Sequence, residues 1–277
     1  MTPYLPVEDF ANIILPANAH PRVLVMLAVY LDASNTEKGR SFVTVAGCLA
    51  TVERWKTFQT KWQALLDKEG LPFFHMTDFE GYHGHYKGWT QKRHKHVFRK
   101  VAKAIVGRVD FAFSRGVAHD DFEWAQTQQP ILSHWSAFTF CAAQCLHAVA
   151  NWAIKHNHDG PIAYIFESGD GFDGELNEFK TLIESSEDRM KRFRWAGLYI
   201  LPKVKANPPF PLTPLQAADV WAFEARKEWE NYHSTGVRSR AVRKSARLLL
   251  GKGVEIDFGF SPRRNLVTLE PYWQMDT

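Results

Sequence analysis

The hydrophobic pattern predicts a chain that alternates between buried strands and amphipathic helices. A continuous apolar run from Val23 to Asp32 is typical of a strand buried on both faces. The segment from Arg40 to Thr51 is rich in β-forming residues and follows closely enough to pair with that strand as a hairpin. The same reasoning predicts further strands at Val109–His119, Pro161–Glu167 and Phe193–Leu201.

Apolar residues at three- to four-residue spacing predict the helices. The clearest case is Val52 to Glu69, and the other predicted helices are Gln91–Val106, Leu132–His156, Leu176–Asp188 and Leu215–Asn231, with a basic helix after the last one. We find no internal repeat and no linker. Strands alternating with helices predict an α/β fold, and we expect one domain over residues 1–277, with a core at about 23–231 and a basic helix and tail at 232–277.

The composition fits a folded protein, because 45% of the 277 residues are hydrophobic and 23% are charged. The longest apolar run, Val23 to Leu31, is about half as long as a bilayer requires, so we expect no membrane segment. The N-terminus lacks the pattern of a signal peptide. Cys48, Cys141 and Cys145 form no CxxC pair and are expected to be buried side chains. We therefore expect a cytoplasmic protein.

Two of the predicted buried strands end in an acid, Asp32 in one case and Glu167 in the other. A carboxylate beside an apolar run must be solvated, paired or bound to a cation, because its burial alone is costly. Ligands of open α/β sheets lie in the crevice beyond the strand ends. If the two strands are neighbours, both carboxylates project into one crevice.

Asp219 is the third candidate acid, and it lies in an apolar helical segment rich in alanine. Small neighbours allow such a helix to approach a sheet closely, although an exposed or capping role is the alternative. Three converging carboxylates suit Mg²⁺ or Mn²⁺, and two such ions about 3.5–4 Å apart promote phosphodiester hydrolysis. Asp170 is either a fourth ligand, an acid beside the ligands, or a turn residue, and it competes with Glu167 for the middle position.

His75 follows two phenylalanines and is a candidate for proton transfer or contact with a phosphate. The alternative is a structural histidine. Asp78, three residues later, either orients His75 or caps the following turn. A catalytic role for His75 therefore depends on where the fold places it.

Basic residues near the end of the chain are candidates for binding phosphates. Lys203 and Lys205 precede the helix of Asp219, and no acid occurs between Arg238 and Lys252. Arg240, Arg243, Lys244 and Arg247 have the spacing of one helical face. The formal net charge of +4 decides nothing by itself. These residues indicate either contacts with a nucleic-acid backbone or a solvated helix face.

The order strand-acid, strand-acid, helix-acid is the pattern of the ribonuclease H-like superfamily. The chain also resembles a narrower group, the domain of unknown function 3800 family. The resemblance lies in Tyr30-Leu31-Asp32-Ala33-Ser34, the strand Phe42 to Gly47, Phe74-His75, and Leu215-Gln216-Ala217-Ala218-Asp219. Together these pieces span about Val23 to Glu224. Ala33 departs from the pattern, because an acid usually follows the first aspartate.

The resemblance implies a ribonuclease H-like mixed sheet flanked by helices, and a metal-dependent nuclease site at Asp32, Glu167 and Asp219. It also implies a setting in mobile elements or phage defence. Nucleic acid is then the expected partner, with a protein partner as a further possibility. Two alternatives stay open: a catalytically inactive module that binds nucleic acid or protein, and a glycoside hydrolase that uses a pair of carboxylates.

Overall fold

The computed structural model describes residues 7, 26–34, 41–168, 171–201, 213–233, 241–251, 253–261 and 263–268. Within these ranges, six strands form one sheet in the order β5-β4-β1-β2-β3-β6. The strands are β1 (Leu27–Ser34), β2 (Phe42–Thr51), β3 (Phe111–Ala118), β4 (Ile162–Glu167), β5 (Trp195–Leu201) and β6 (Glu255–Phe260).

The sheet is mixed. β1, β2 and β3 form an antiparallel meander, which confirms the predicted hairpin, and β4 and β5 add parallel strands on the other side of β1. This arrangement, flanked by helices, confirms the predicted α/β, ribonuclease H-like fold class. β6 pairs parallel to β3 at the opposite edge. The sequence analysis missed β6, although Ile256, Phe258 and Phe260 alternate with polar residues or glycine, which is the pattern of a strand.

The helices of the described ranges are α1 (Val52–Glu69), α2 (Met76–Glu80), α3 (Gln91–Val106), α4 (His119–Gln128), α5 (Ala137–Lys155), α6 (Asp173–Glu184), α7 (Glu187–Arg192), α8 (Thr213–His233), α9 (Lys244–Leu249) and α10 (Arg263–Thr268). α1 and α3 have the predicted bounds. α5 begins five residues later than predicted, where Ser136 caps its first turn. The predicted helix 176–188 is two helices, because Ser186 caps a new one.

Side chains from the two faces of the sheet form two separate cores. One core packs under α1, α3 and α8, and we call this side the α8 face. The other core packs under α5 and α6, and we call this side the α5 face. In the described part of the chain, α5 is the one helix long and apolar enough to cross a membrane, but most of it is buried in the second core. Its apolar side chains are therefore used inside the protein.

The predicted basic helical face is wrong in one respect. α9 begins at Lys244, and Arg243 precedes it as the N-cap residue in an extended conformation. Arg243 is therefore not part of the same helical face as Lys244 and Arg247. Arg240 lies outside the described residues.

Candidate functional site

Asp32 and Glu167 lie next to each other on adjacent strands. β1 and β4 run parallel, and Leu31 is the register partner of Phe166. The next residue on each strand is the acid. Since neighbouring strands are about 4.8 Å apart, the two acids leave the sheet side by side. Side chains alternate along a strand, so Asp32 shares the side of Tyr30, and Glu167 that of Ile165. Both of these belong to the core of the α8 face.

Ala33 points away from this pair. It packs against the core of the α5 face, on the side of the sheet opposite to Asp32. A side chain at this position of β1 does not share a face with Asp32. The alanine that departs from the family pattern therefore removes no carboxylate from the side of the sheet where Asp32 and Glu167 lie.

Two side chains of α8 hold the extended segment that precedes α2. Gln216 Oε1 accepts hydrogen bonds from the backbone N–H of Phe74 at 2.7 Å and from the indole N–H of Trp62 at 2.9 Å. Asp219 Oδ2 accepts the backbone N–H of Met76 at 2.6 Å. Gln216 and Asp219 are one helical turn apart and therefore share a face of α8. The Phe-His and Leu-Gln-x-Ala-Asp elements of the sequence are thus in direct contact.

This contact fixes the position of His75, which is the N-cap residue of α2. Its Nδ1 accepts the backbone N–H of Asp78 at 3.4 Å and lies 3.1 Å from Asp78 Oδ2. Because Nδ1 accepts a hydrogen bond, the proton of the neutral ring is on Nε2. The side chain of His75 is 31% exposed. The geometry therefore suits a histidine that transfers a proton at Nε2, with Asp78 orienting the ring.

Tyr86 supports the segment that precedes α2. Its hydroxyl accepts the backbone N–H of His75 at 3.2 Å and contacts the carbonyl of Phe73. Burial raises the pKa of the Tyr86 hydroxyl, and the nearby charges of Asp219 and Asp78 add to the rise. The hydroxyl therefore stays protonated at neutral pH. It supports the loop rather than taking part in proton transfer.

A third contact of α8 lies at the end of β1. Arg226 is buried, and its Nε donates to Ser34 Oγ at 2.8 Å. Ser34 is two residues beyond Asp32 and therefore on the same side of the sheet. Arg226 also forms an ion pair with Glu230. α8 is thus tied to the end of β1 as well as to the segment before α2, and it lies across β1 and β2.

Arg243 is the centre of an ion-pair network that the sequence analysis did not foresee. Its Nε donates to Glu224 Oε2 at 3.1 Å, and its guanidinium also binds Glu80. Glu224 is only 2% exposed, and its burial raises the pKa of its carboxyl. An arginine that neutralises a buried acid has little capacity left for a phosphate. The signal in the sequence was Glu224 itself, an acid in the apolar helix of Asp219.

The residues present suit a divalent ion. Mg²⁺ is usually held by one or two carboxylates and completed by water, and Asp32 and Glu167 supply such a pair. Among the residues that the structure describes, no group of three or more His, Cys, Asp or Glu side chains is placed to hold a metal. Asp219 uses one oxygen for Met76. The ligand set of three acids stays a prediction.

Several predicted site residues cannot be placed. Asp170, Lys203 and Lys205 lie outside the described residues, as does Arg240. The choice between Glu167 and Asp170 as the middle ligand therefore stays a prediction. Lys244 and Arg247 are described, and both are exposed on α9.

Comparison with known proteins concerns the fold alone. No protein-family model matches the sequence, and no curated protein matches it. The chain is similar to the solved structure of Bst-RNase HIII in complex with Mn²⁺, with a TM-score of 0.40 and 15% identity over 92% of this chain and 70% of that one. It is also similar to the RNase HII of Archaeoglobus fulgidus in its complex with PCNA, with a TM-score of 0.33 and 14% identity over 81% and 86%. At this level of similarity we transfer no site residue and no activity.

Proposed function

We propose that the chain is a divalent-metal-dependent nuclease whose site lies at the carboxyl ends of β1 and β4. The observation that carries this proposal is the register of the two strands, which brings Asp32 and Glu167 side by side on the α8 face. Asp32 is only 7% exposed. Two adjacent carboxylates repel each other where water is scarce, and a bound cation removes that repulsion.

In this proposal, Asp32 and Glu167 hold Mg²⁺ or Mn²⁺, and Asp219 approaches from α8. Such an ion, when bound, lowers the pKa of a water molecule and stabilises a leaving oxygen. His75 contributes the proton transfer through Nε2, with Nδ1 held against Asp78. α8 keeps these groups in place, because it binds the loop of His75 and the end of β1.

Membership of the domain of unknown function 3800 family is part of the same proposal, as is the setting in mobile elements or phage defence. Both rest on the resemblance of the short sequence elements. The structure supports the resemblance indirectly, because two of these elements are joined by the hydrogen bonds of Gln216 and Asp219.

A second function is favoured by one observation. Since no group of three acids is placed to hold a metal in the described residues, a module that binds nucleic acid without cleaving it is the main competitor. The glycoside hydrolase has less support. Trp55 and Trp62, the tryptophans of α1, are fully buried and offer no platform to a sugar.

A cleavage screen separates these functions. The full-length chain, Asp32→Asn and the control Glu178→Gln are incubated with single-stranded and duplex DNA and RNA, with Mn²⁺ or with a chelator. Glu178 is an exposed acid of α6, a helix that packs on the α5 face, opposite to the face of Asp32 and Glu167. The proposal predicts cleavage by the full-length chain and Glu178→Gln with Mn²⁺ only, and none by Asp32→Asn. Binding without cleavage by all three proteins would favour the inactive module.

A further inference from the structure

A groove with a volume of about 300 Å³ runs between α3 and α9. Its floor is apolar and is formed mainly by Leu248, a leucine that is 42% exposed, because Phe98 beneath it is only 5% exposed. Three exposed cations, Lys95, Arg99 and Lys244, line its rim. An apolar floor between cations suits a ligand that combines negative charges with flat apolar groups.

The described residues of the protein do not balance the positive charge of this groove. α3 has no acid in its 16 residues. Its cations Arg93 and Lys100 lie near Glu69, with Lys100 only 2.6 Å from that carboxylate. In the described part of the chain, the three rim cations make no ion pair. They are therefore available to an anionic ligand.

The acid that lines the groove does not offset this charge. Glu80 binds the guanidinium of Arg243, which also neutralises Glu224. Glu80 also marks the position of the groove relative to the candidate site. It ends α2, the helix that His75 caps at its other end. Five residues of helix span about 7.5 Å, so the groove begins close to His75.

We propose that this groove binds single-stranded nucleic acid and leads it towards His75. This inference rests on the proposed function and adds the form of the substrate. Phosphates bind the rim cations, and unpaired bases pack on the apolar floor, as in other grooves for single strands. A duplex keeps its bases stacked inside and gains nothing from Leu248.

The test measures binding without catalysis. Fluorescence anisotropy with a labelled 15-nucleotide DNA, a labelled RNA and their duplexes is recorded in chelator, in an Asp32→Asn background. The groove variant is Lys95→Gln/Arg99→Gln/Lys244→Gln. Its matched control, Lys61→Gln/Lys92→Gln/Lys103→Gln, removes the same charge from exposed residues outside the groove lining. Thermal unfolding verifies that both variants are folded.

We expect the groove variant to bind a single strand at least tenfold more weakly than the control. The slope of log affinity against log salt should fall by about 2, since each lost contact to a single strand removes about 0.7. Leu248→Ser should weaken binding of the single strand and leave duplex binding unchanged. Equal losses in the groove variant and the control would overturn the inference, as would tighter binding of duplexes.

The two proposals fail in different ways. If the groove variant loses binding but the full-length chain never cleaves with metal, the groove proposal is upheld and the nuclease proposal is wrong. If the groove variant binds a single strand as well as its control, and the same three substitutions in the chain that keeps Asp32 leave cleavage unchanged, the groove proposal is wrong and the nuclease proposal is upheld.

Discussion

The two faces of the sheet bury very different helices. On the α5 face, α5 contributes apolar and small side chains to the core along most of its length. On the α8 face, α8 is equally buried, but Gln216, Glu224 and Arg226 interrupt its apolar surface. Each of these polar side chains has a defined partner elsewhere in the fold, namely Phe74, Arg243 and Ser34.

This difference indicates that the helix of the α5 face serves the stability of the fold, whereas the polar residues of the α8 face position other parts of the chain. Burial of a polar group gains little stability even when it is hydrogen-bonded, and it costs stability when the bond is lost. A helix needed only for a core would resemble α5. The polar residues of α8 connect it to the loop of His75, to the end of β1 and to Arg243, which precedes α9. Changes on the α5 face should therefore alter stability alone, whereas changes on the α8 face should alter the site as well.

The largest effect is expected on the α5 face. Phe140 is 1% exposed and packs against Phe122 at 5.3 Å between ring centroids. Phe140→Ala leaves a cavity and should lower the free energy of unfolding by about 3–5 kcal/mol, as measured by urea unfolding. Below the melting temperature, Mn²⁺ affinity should not change. A matching loss of affinity would contradict the separation of the two faces.

On the α8 face, Arg243→Met removes the partner of a buried acid. We expect a loss of about 3 kcal/mol at neutral pH, and Glu224→Gln in the same chain should restore part of it. Burial already raises the pKa of Glu224, and the loss of Arg243 raises it further. The folded state then holds the proton more tightly than the unfolded chain, so stability falls as pH rises through this pKa. Urea unfolding of Arg243→Met should therefore show higher stability at pH 5 than at pH 8, and the opposite order would refute this account.

His147, on the α5 face, should make stability depend on pH in the opposite direction. Burial, helped by the charges of Arg192 and Arg115, lowers its pKa from 6.5 to about 4. Between these values the unfolded chain binds a proton and the folded chain does not, so stability is lost as pH falls from about 6.5 to 4. The loss is about 3 kcal/mol. His147→Leu should abolish this part of the acid sensitivity, and an unchanged pH profile would exclude His147 as its source.

Gln216→Leu should have the smallest effect on stability but a clear effect on the site. It leaves the N–H groups of Trp62 and Phe74 without their acceptor, at a cost of about 2 kcal/mol. Because Phe74 precedes His75, turnover should fall more than in a variant of the α5 face with the same stability. Equal turnover per folded molecule would show that this contact does not position His75.

The local pattern of apolar and polar residues was sufficient to predict much of the fold. α1 and α3 were predicted to the residue, because each combines an amphipathic stripe with a threonine cap, Thr51 in one case and Thr90 in the other. The acids at the ends of β1 and β4 were also visible locally. β6 was visible in the same way, because its apolar residues Ile256, Phe258 and Phe260 alternate with polar residues or glycine, but it was overlooked.

The contacts that assemble the site could not be predicted from the local pattern of residues. Gln216 and Phe74 are 142 positions apart in the sequence, and only the packing of α8 brings them together. Arg243 had the spacing of a helical face, but its bond to the buried Glu224 places it ahead of α9. Tertiary partners, rather than periodicity, decide the role of such polar residues.

Calorimetric titration of Mn²⁺ into the full-length chain, Asp32→Ala and Glu178→Gln tests the central claim most directly. The account predicts that the full-length chain and Glu178→Gln bind Mn²⁺ with the same affinity and that Asp32→Ala does not bind it. If all three proteins bind equally, or none binds, then Asp32 and Glu167 do not form a metal site and the nuclease proposal is wrong.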